Sequence, residues 1–333
     1  MMKKLMITTA LAASLMGFAG VASADCGKVT IANMNWQSAE VLANIDKIIL
    51  STGYGCDAEL VPGDTQPTLT SMMEKGEPDV APEGWINSMR ETLDKAVADG
   101  KLSYSVSALT DGGVEGWWIP KYIQDANPDI KTIADALKRK DLFVDSEDAT
   151  KGAVHGCPQG WNCQISTANL FKAYGAEAAG FKLIDPGSAA GLDGSIAKAV
   201  EGKKGWLGYY WAPTAILGKY EMVKLEHGVA HDKAAWDACT TVPDCKDPKP
   251  NAWAKSEVST VVTTRFKTAG GPAYEYLTRR NWSNATVNKL LSWMADNQAT
   301  GEVGAKYFLK NNEDVWMKWV SPEAAAKIKA AVA

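Results

Sequence analysis

Strand-like segments alternate with helix-like segments from residue 28 onward, and this order narrows the possible folds more than any other property of the chain. Residues 28–36 (KVTIANMNW) have the alternating β-branched residues typical of a strand. Residues 37–53 then carry apolar side chains at helical spacing and end at a glycine. Further strands are predicted at 56–62 and 78–85, and further helices at 65–76 and 86–100. Such alternation predicts parallel pairing and an α/β layered architecture.

The chain is long enough for two lobes, because 333 residues exceed what a single hydrophobic core normally supports. Residues 114–123 (VEGWWIPKYI) are apolar and aromatic without helical period, and β/α alternation resumes after them. Residues 220–228 (YEMVKLEHG) are interpreted as the strand that returns to lobe one, before a largely helical end. The predicted divisions are lobe one at 25–115 and 220–333, and lobe two at 116–219.

A ligand cleft is expected between the lobes, because side chains that bind ligands collect at the carboxyl ends of the strands in such sheets. Two chain segments would join the lobes, and we predict hinge motion near residues 114–120 and 218–224.

The N-terminal residues predict export. Two lysines precede an apolar run (5–21) that ends in Ala22-Ser23-Ala24, the pattern of a cleavable signal peptide over residues 1–24. Asp25 lies directly before Cys26, where a lipoprotein signal requires a small residue. The mature chain is therefore expected to begin at Asp25 and to be free in the periplasm, without a lipid anchor.

Composition and motifs exclude several classes of function. The net charge of −4, with scattered basic residues, predicts no nucleic-acid partner and favours a small ligand. The chain has no G-x-S-x-G, H-E-x-x-H, P-loop or G-x-G-x-x-G motif, so we expect neither an enzyme nor a bound cofactor. A monomer is expected.

The six cysteines predict disulfides, because an exported protein meets an oxidising compartment. Spacing and elimination give the pairs Cys157–Cys163, Cys239–Cys245 and Cys26–Cys56. A structural metal is the alternative, since His155 lies near Cys157. His227 and His231 also precede Cys239 at helix-compatible spacing, although their polar surroundings predict that both face solvent.

Tryptophans lie where predicted strands pass into loops. They are Trp36, Trp85, Trp161 and Trp211. One such residue often fills space beneath its loop, but several indole faces together form a cage for a cation that cannot donate hydrogen bonds. The aromatic residues of 205–217 (GWLGYYWAPTAIL) are predicted to form one wall of this cage.

Polar residues near these tryptophans are candidates for the rest of the site. Backbone amides of Gln37 and Ser38, at a helix start, suit a carboxylate. Glu83 and Glu115 each precede a tryptophan by two residues and are candidates to neutralise a cation. His155 adjoins the loop of Trp161 and is a further candidate contact.

Five segments resemble the glycine betaine/proline betaine family of ABC-transporter substrate-binding proteins. They are Trp36-Gln37-Ser38-Ala39, APEGW (81–85), GVEGWWIPKYI (113–123), GWLGYYWAP (205–213) and GAKYFLKNNEDVWMKWV (304–320). The resemblance implies a type II periplasmic binding protein fold that closes on methylated osmolytes through an aromatic box. It places box residues at the four tryptophans and carboxylate-binding amides after Trp36. It also implies an inner-membrane permease with a cytoplasmic ATPase as partner.

The sequence departs from this family at Thr214, where many members have a histidine that assists the ligand carboxylate. Choline, trimethylamine N-oxide, dimethylsulfoniopropionate and carnitine therefore stay open beside glycine betaine. Either Trp117 or Trp118 could face the cleft, and Trp118 is included among the candidate contacts. The alternative function is an extracytoplasmic carbohydrate-binding protein that stacks sugars on these tryptophans.

Overall fold

Two mixed β-sheets, each of five strands, form the centres of the two lobes. The computed structural model describes residues 26–333, so the predicted signal peptide and Asp25 lie outside the described residues. The first sheet contains β1 (Lys28–Met34), β2 (Asp57–Gly63), β3 (Val80–Trp85), β4 (Leu102–Ser107) and β10 (Val258–Thr263), in the order β2-β1-β3-β10-β4. The second contains β5 (Val114–Pro120), β6 (Gly152–His155), β7 (Phe181–Ile184), β8 (Gly208–Ala212) and β9 (Met222–Lys224), in the order β7-β6-β8-β5-β9.

Strand direction is only partly as predicted. Parallel pairing joins β1 to β2 and β3, and it joins β6 to β7 and β8. In contrast, β10 is antiparallel to β3 and β4, and β5 is antiparallel to β8 and β9. The prediction of parallel sheets is wrong for these strands. Both β5 and β10 enter their sheet from the other lobe. The direction of each strand is therefore fixed by the crossing between the lobes and not by a β-α-β connection within one sheet.

Helices cover both sheets and make up most of the chain after β10. They are α1 (Gln37–Ile48), α2 (Thr65–Lys75), α3 (Arg90–Ala98), α4 (Lys121–Ala126), α5 (Ile133–Ala136), α6 (Asn162–Ala173), α7 (Ala189–Glu201), α8 (Ala215–Lys219), α9 (Lys233–Ala235), α10 (Thr264–Ala269), α11 (Gly271–Arg279), α12 (Asn284–Asp296), α13 (Gly301–Asn311), α14 (Glu313–Trp316) and α15 (Pro322–Val332). None of the helices within residues 26–333 combines the length and apolar character that crossing a bilayer requires.

The strand that returns to the first sheet is β10, not the segment at 220–228. The β9 strand within that segment pairs with β5 of the second sheet. The β10 strand was not predicted, because the chain after residue 228 was interpreted as largely helical, although β10 is rich in β-branched residues and buried along its whole length. The lobe limits stay a prediction. The strand pairing favours a boundary between β9 and β10 as the point where the chain returns from lobe two to lobe one.

The two segments that connect the sheets meet at Gly113 and Ser256. The Gly113 amide donates to the Ser256 carbonyl at 2.8 Å, and the Ser256 amide donates back at 2.9 Å. The predicted hinge segments, near 114–120 and 218–224, fall largely on elements of the second lobe. The hinge motion stays a prediction, and the connectivity favours this hydrogen-bonded pair as its centre.

All six cysteines pair as the spacing predicts, as Cys26–Cys56, Cys157–Cys163 and Cys239–Cys245. No cysteine within residues 26–333 is left to bind a metal. The short loop closed by Cys157 and Cys163 carries Trp161 to the start of α6.

A buried ion pair supports the end of β3. Arg280 and Asp46 are both fully buried, with Nε and Oδ1 3.0 Å apart. Arg280 also donates to the backbone carbonyl of Pro82 at 3.2 Å. Burial raises the pKa of Asp46, and the guanidinium opposes that rise. The pair thus fixes the backbone immediately before Glu83.

Candidate functional site

The four tryptophans predicted as cage residues come together between the lobes. Trp36 follows β1 and Trp85 ends β3, whereas Trp161 begins α6 and Trp211 lies in β8. The Trp36 and Trp161 ring centroids are 5.3 Å apart with planes at 72°. Those of Trp161 and Trp211 are 5.0 Å apart at 84°. Each lobe therefore contributes two indoles, and Trp161 meets Trp36 and Trp211 edge to face.

Tyr209 is a fifth ring of the site, which the sequence analysis did not single out. Its ring centroid lies 6.3 Å from that of Trp211, with planes at 20°. Alternate residues of a strand share a face, so Tyr209 and Trp211 of β8 point the same way and Tyr210 points the other way. Trp206 lies in a different groove. Only two of the four rings clustered at 206–211 thus form the cage wall.

These five rings line a space that we call the cage. The other lining residues are Thr65, Glu115, Asn162 and Cys163. Among the described residues, no lysine, arginine or histidine lines the cage. A cavity with aromatic walls and an acidic side chain, but no basic one, suits a cationic group.

Glu83 orients two of the rings and is itself fully buried. Its Oε1 accepts hydrogen bonds from Trp36 Nε1 at 2.8 Å and from Trp85 Nε1 at 3.0 Å. The Ser38 hydroxyl donates to the same oxygen at 2.9 Å. Burial raises the pKa of Glu83, and these hydrogen bonds oppose the rise. Glu83 therefore acts on the cage through the indole N–H groups that it holds.

Glu115 connects the cage with the hinge. The Tyr209 hydroxyl donates to its Oε1 at 2.8 Å, and the Ser256 hydroxyl donates to its Oε2. Burial raises the pKa of this carboxyl group, opposed by both hydrogen bonds. The same side chain thus touches the cage, a ring of its wall and one of the two segments that join the lobes.

Hydrogen bonds between the lobes close the site. Trp161 Nε1 donates to Asn35 Oδ1 at 2.6 Å, and Asn162 Nδ2 donates to the backbone carbonyl of Trp85 at 3.1 Å. The backbone amide of Gln66 donates to the backbone carbonyl of Gly160 at 3.1 Å. All three join lobe one to the loop or helix start that carries Trp161, so the position of this ring depends on lobe closure.

A second small space lies against the cage and shares Trp36 and Trp211 with it. We call it the polar compartment. Its other lining residues are Gln37, Ser38, Ala189, Asp193, Tyr210, Pro213, Thr214, Ala215 and Leu291. The start of α1 therefore lies beside the cage, where the resemblance places it.

Asp193 and Tyr210 form a hydrogen-bonded pair in the polar compartment. The Tyr210 hydroxyl donates to Asp193 Oδ1 at 2.6 Å. Burial raises the pKa of Asp193 to about 6, and this hydrogen bond opposes the rise. Thr214, at the position of the family histidine, accepts from the Leu217 amide at 3.3 Å and caps α8. Nothing in the sequence pattern marks Asp193, which lies within an ordinary amphipathic helix.

Three predicted residues lie away from the cage. Trp118 is partly buried and donates to the Tyr210 carbonyl at 3.0 Å, whereas Trp117 is fully buried against Tyr174. Neither lines the cage or the polar compartment. His155 stacks on Trp206, with centroids 5.2 Å apart, in a separate groove of lobe two.

The histidines differ in exposure. Burial lowers the pKa of His155 to about 4. The expectation that His227 faces solvent is wrong, because it is buried against Trp253, and burial lowers its pKa to about 4 as well. His231 is exposed, as expected.

Two α/β lobes that close on an aromatic cavity define a substrate-binding protein of the type II periplasmic fold. Residues 27–311 match the family described as the substrate binding domain of the ABC-type glycine betaine transport system, and the chain belongs to that family. Members of this family are binding components of transporters.

Solved structures share this fold at low sequence identity. The glycine betaine, L-proline-binding protein ProX from Borrelia burgdorferi is 16% identical, with 90% of this chain and 99% of that chain covered and a TM-score of 0.69. A choline-binding protein in complex with choline is 18% identical, with 92% and 99% covered and a TM-score of 0.70. Lactococcal OpuAC in its closed form with glycine betaine is 18% identical, with 89% and 100% covered and a TM-score of 0.66.

Proposed function

We propose that this protein captures a quaternary ammonium or sulfonium compound in the cage and delivers it to the permease of an ABC importer. The proposal rests above all on one observation: five aromatic rings from both lobes surround a space without basic side chains. An onium head has no N–H group to donate, so its water shell is best replaced by the negative faces of such rings.

The rings alone reach micromolar affinity only near the upper end of their usual range, so the rest of the site must also contribute. Each cation–π contact contributes about 0.5–2 kcal/mol, so five rings supply roughly 2.5–10 kcal/mol. Micromolar affinity requires about 8 kcal/mol. Glu115 lines the cage and Glu83 lies behind two of its rings, so both add negative potential where they are ionised. The rings are also held in place by hydrogen bonds, which lowers the entropy lost on binding.

The carbohydrate alternative fits the site less well. Sugar hydroxyls need several polar side chains that converge on them, but the cage offers only Thr65, Glu115 and Asn162.

Tryptophan fluorescence and calorimetry test the proposal. The ligands are glycine betaine, choline, dimethylsulfoniopropionate, trimethylamine N-oxide, carnitine and a disaccharide. We expect saturable binding of at least one onium compound and none of the disaccharide. Binding of the disaccharide alone would reject the proposal in favour of the alternative.

Export and partners follow from the same proposal. The N-terminal signal pattern and the family support a soluble periplasmic protein whose closed, ligand-bound form docks on an inner-membrane permease driven by a cytoplasmic ATPase. Reconstituted permease tests this step, since transport of the bound onium compound should depend on addition of this protein.

A further inference from the structure

The polar compartment contains one charged side chain among its described lining residues, and that side chain is acidic. Asp193 reaches the compartment from α7 of lobe two, opposite the α1 start of lobe one. The described lining residues include no lysine, arginine or histidine. A negative charge brought there by a ligand would therefore meet a carboxylate and no basic side chain.

We propose that Asp193 excludes ligands with a carboxylate from the polar compartment and selects an onium compound whose far end is a hydroxyl. This inference rests on the proposed function, because the onium head must occupy the cage for the far end of the ligand to lie in the neighbouring compartment, which shares Trp36 and Trp211 with the cage.

The positive end of α1 attracts anions, and Gln37 and Ser38 expose backbone amides there. Asp193 lines the same small space, so the chain already supplies a negative group to it. A ligand carboxylate would add a second negative charge within a few ångströms, in a partly desolvated site where such repulsion is strong.

A ligand hydroxyl has the opposite effect, because it can donate a hydrogen bond to a carboxylate. Tyr210 donates to Asp193 Oδ1 at 2.6 Å, and Oδ2 has no hydrogen-bond partner in the described chain. The free oxygen and the fixed orientation of the carboxylate together provide an acceptor for the far end of the ligand.

Calorimetry with three ligands tests the inference on the full mature protein. Choline and glycine betaine share a trimethylammonium head and differ in bearing a hydroxyl or a carboxylate, and tetramethylammonium has the head alone. We expect wild-type protein to bind choline about tenfold or more tightly than glycine betaine, the scale of one charge repulsion. Asp193→Asn should shift this ratio about tenfold towards glycine betaine and leave tetramethylammonium affinity unchanged.

Asp129→Asn is the matched control, because Asp129 is exposed on lobe two and lines neither space. It should leave all three affinities unchanged. Tighter binding of glycine betaine than of choline by the wild type would overturn the inference, and this measurement does not depend on any variant folding. An unchanged ratio in Asp193→Asn would also overturn it. Failure of all three ligands, together with dimethylsulfoniopropionate, trimethylamine N-oxide and carnitine, would instead reject the proposed function itself.

Discussion

At the scale of single residues, the cage depends on partners that hold three of its indoles by their polar edges. Glu83 binds the N–H groups of Trp36 and Trp85, and Asn35 binds that of Trp161. Each bond leaves an indole face free, so buried polar groups set the direction in which negative potential points. A tryptophan without such a partner would fill the same volume but present its face less reproducibly.

Trp211→Ala should weaken binding of the preferred onium ligand by about 1–2 kcal/mol or more, because one desolvated cation–π wall is lost. Calorimetry measures the change. Trp293→Ala is the matched control, since Trp293 stacks on Tyr307 and lines neither the cage nor the polar compartment. Wild-type affinity in Trp211→Ala would remove this ring from the binding site.

His155 gives the molecule an acid-sensitive stability. Burial lowers its pKa to about 4, against about 6.5 in an unfolded chain. Between these values the unfolded state binds a proton that the folded state does not, so stability falls as the pH falls through this window, by about 3 kcal/mol in total. His155→Phe keeps an aromatic ring against Trp206. In this variant the free energy of unfolding, measured with urea, should depend less on pH within this window.

His231→Gln is the control for that experiment, because His231 is exposed and does not line the groove that holds His155 and Trp206. A slope between pH 6.5 and 4 that is the same in His155→Phe and wild type would contradict the assignment.

The sequence predicts which tryptophans meet but not how they are held. Trp36, Trp85, Trp161 and Trp211 follow or end strands, and strand ends of two facing lobes converge on one cleft. The acceptor of the Trp36 N–H group, Glu83, lies 47 positions away in the sequence. No local pattern encodes such a bond. Tyr209 was predictable in principle, because alternation along β8 places it on the same face as Trp211.

At the scale of elements, alternation predicted strands β1 to β3 well because local connections govern them. The place of β10 between β3 and β4 is set by a chain crossing from the other lobe. The hydrophobic periodicity of the sequence does not predict such a crossing. The β9 strand was assigned to the wrong sheet for the same reason. Local patterns therefore identify elements, and long-range crossings decide their neighbours.

The disulfide-closed loop at Cys157–Cys163 should contribute to affinity as well as to stability. Replacing both cysteines with serine should cost about 2 kcal/mol of unfolding free energy and also weaken ligand binding, because Trp161 must then be ordered on binding. Thermal unfolding and calorimetry separate the two effects.

The matched control is the Cys239–Cys245 pair, which has the same sequence separation of 6 and does not line the cage. Its removal should lower stability by a similar amount and leave affinity near the wild-type value. Equal losses of affinity in both double variants would contradict a special role for the Trp161 loop.

The connection from β4 to β5 also shapes the cage. A Cβ atom on Gly113 would lie 2.1 Å from Cζ3 of Trp85, so Gly113→Ala should displace this ring and weaken binding about tenfold or more. Calorimetry measures the loss. Gly194→Ala is the control, since its Cβ would meet no atom within 4 Å inside α7 and should stabilise the helix by up to about 1 kcal/mol. Unchanged affinity in Gly113→Ala would show that Trp85 need not keep its position.

At the scale of the whole molecule, we expect ligand binding and lobe closure to be one event, because each lobe supplies part of the cage. Glu115 accepts from Tyr209 in the cage wall and from Ser256 beside the hinge, so it links ligand contact to the connection between the lobes. Without a cation, closing the cage would dehydrate its carboxylate and indole surfaces without a new interaction to compensate for the lost hydration. The open form should therefore be favoured without ligand, and ligand should shift the population towards the closed form.

Small-angle scattering checks this expectation, since the radius of gyration should fall when the preferred onium ligand saturates the protein. Asn35→Ala removes the acceptor of Trp161 Nε1, one of the bonds that join the lobes, and should weaken binding because the closed form loses stability. At saturating ligand it should still reach the closed radius, since ligand in excess restores the population. A radius that does not change on saturation of the wild type would contradict closure, and the cage would then have to exist already assembled in the free protein.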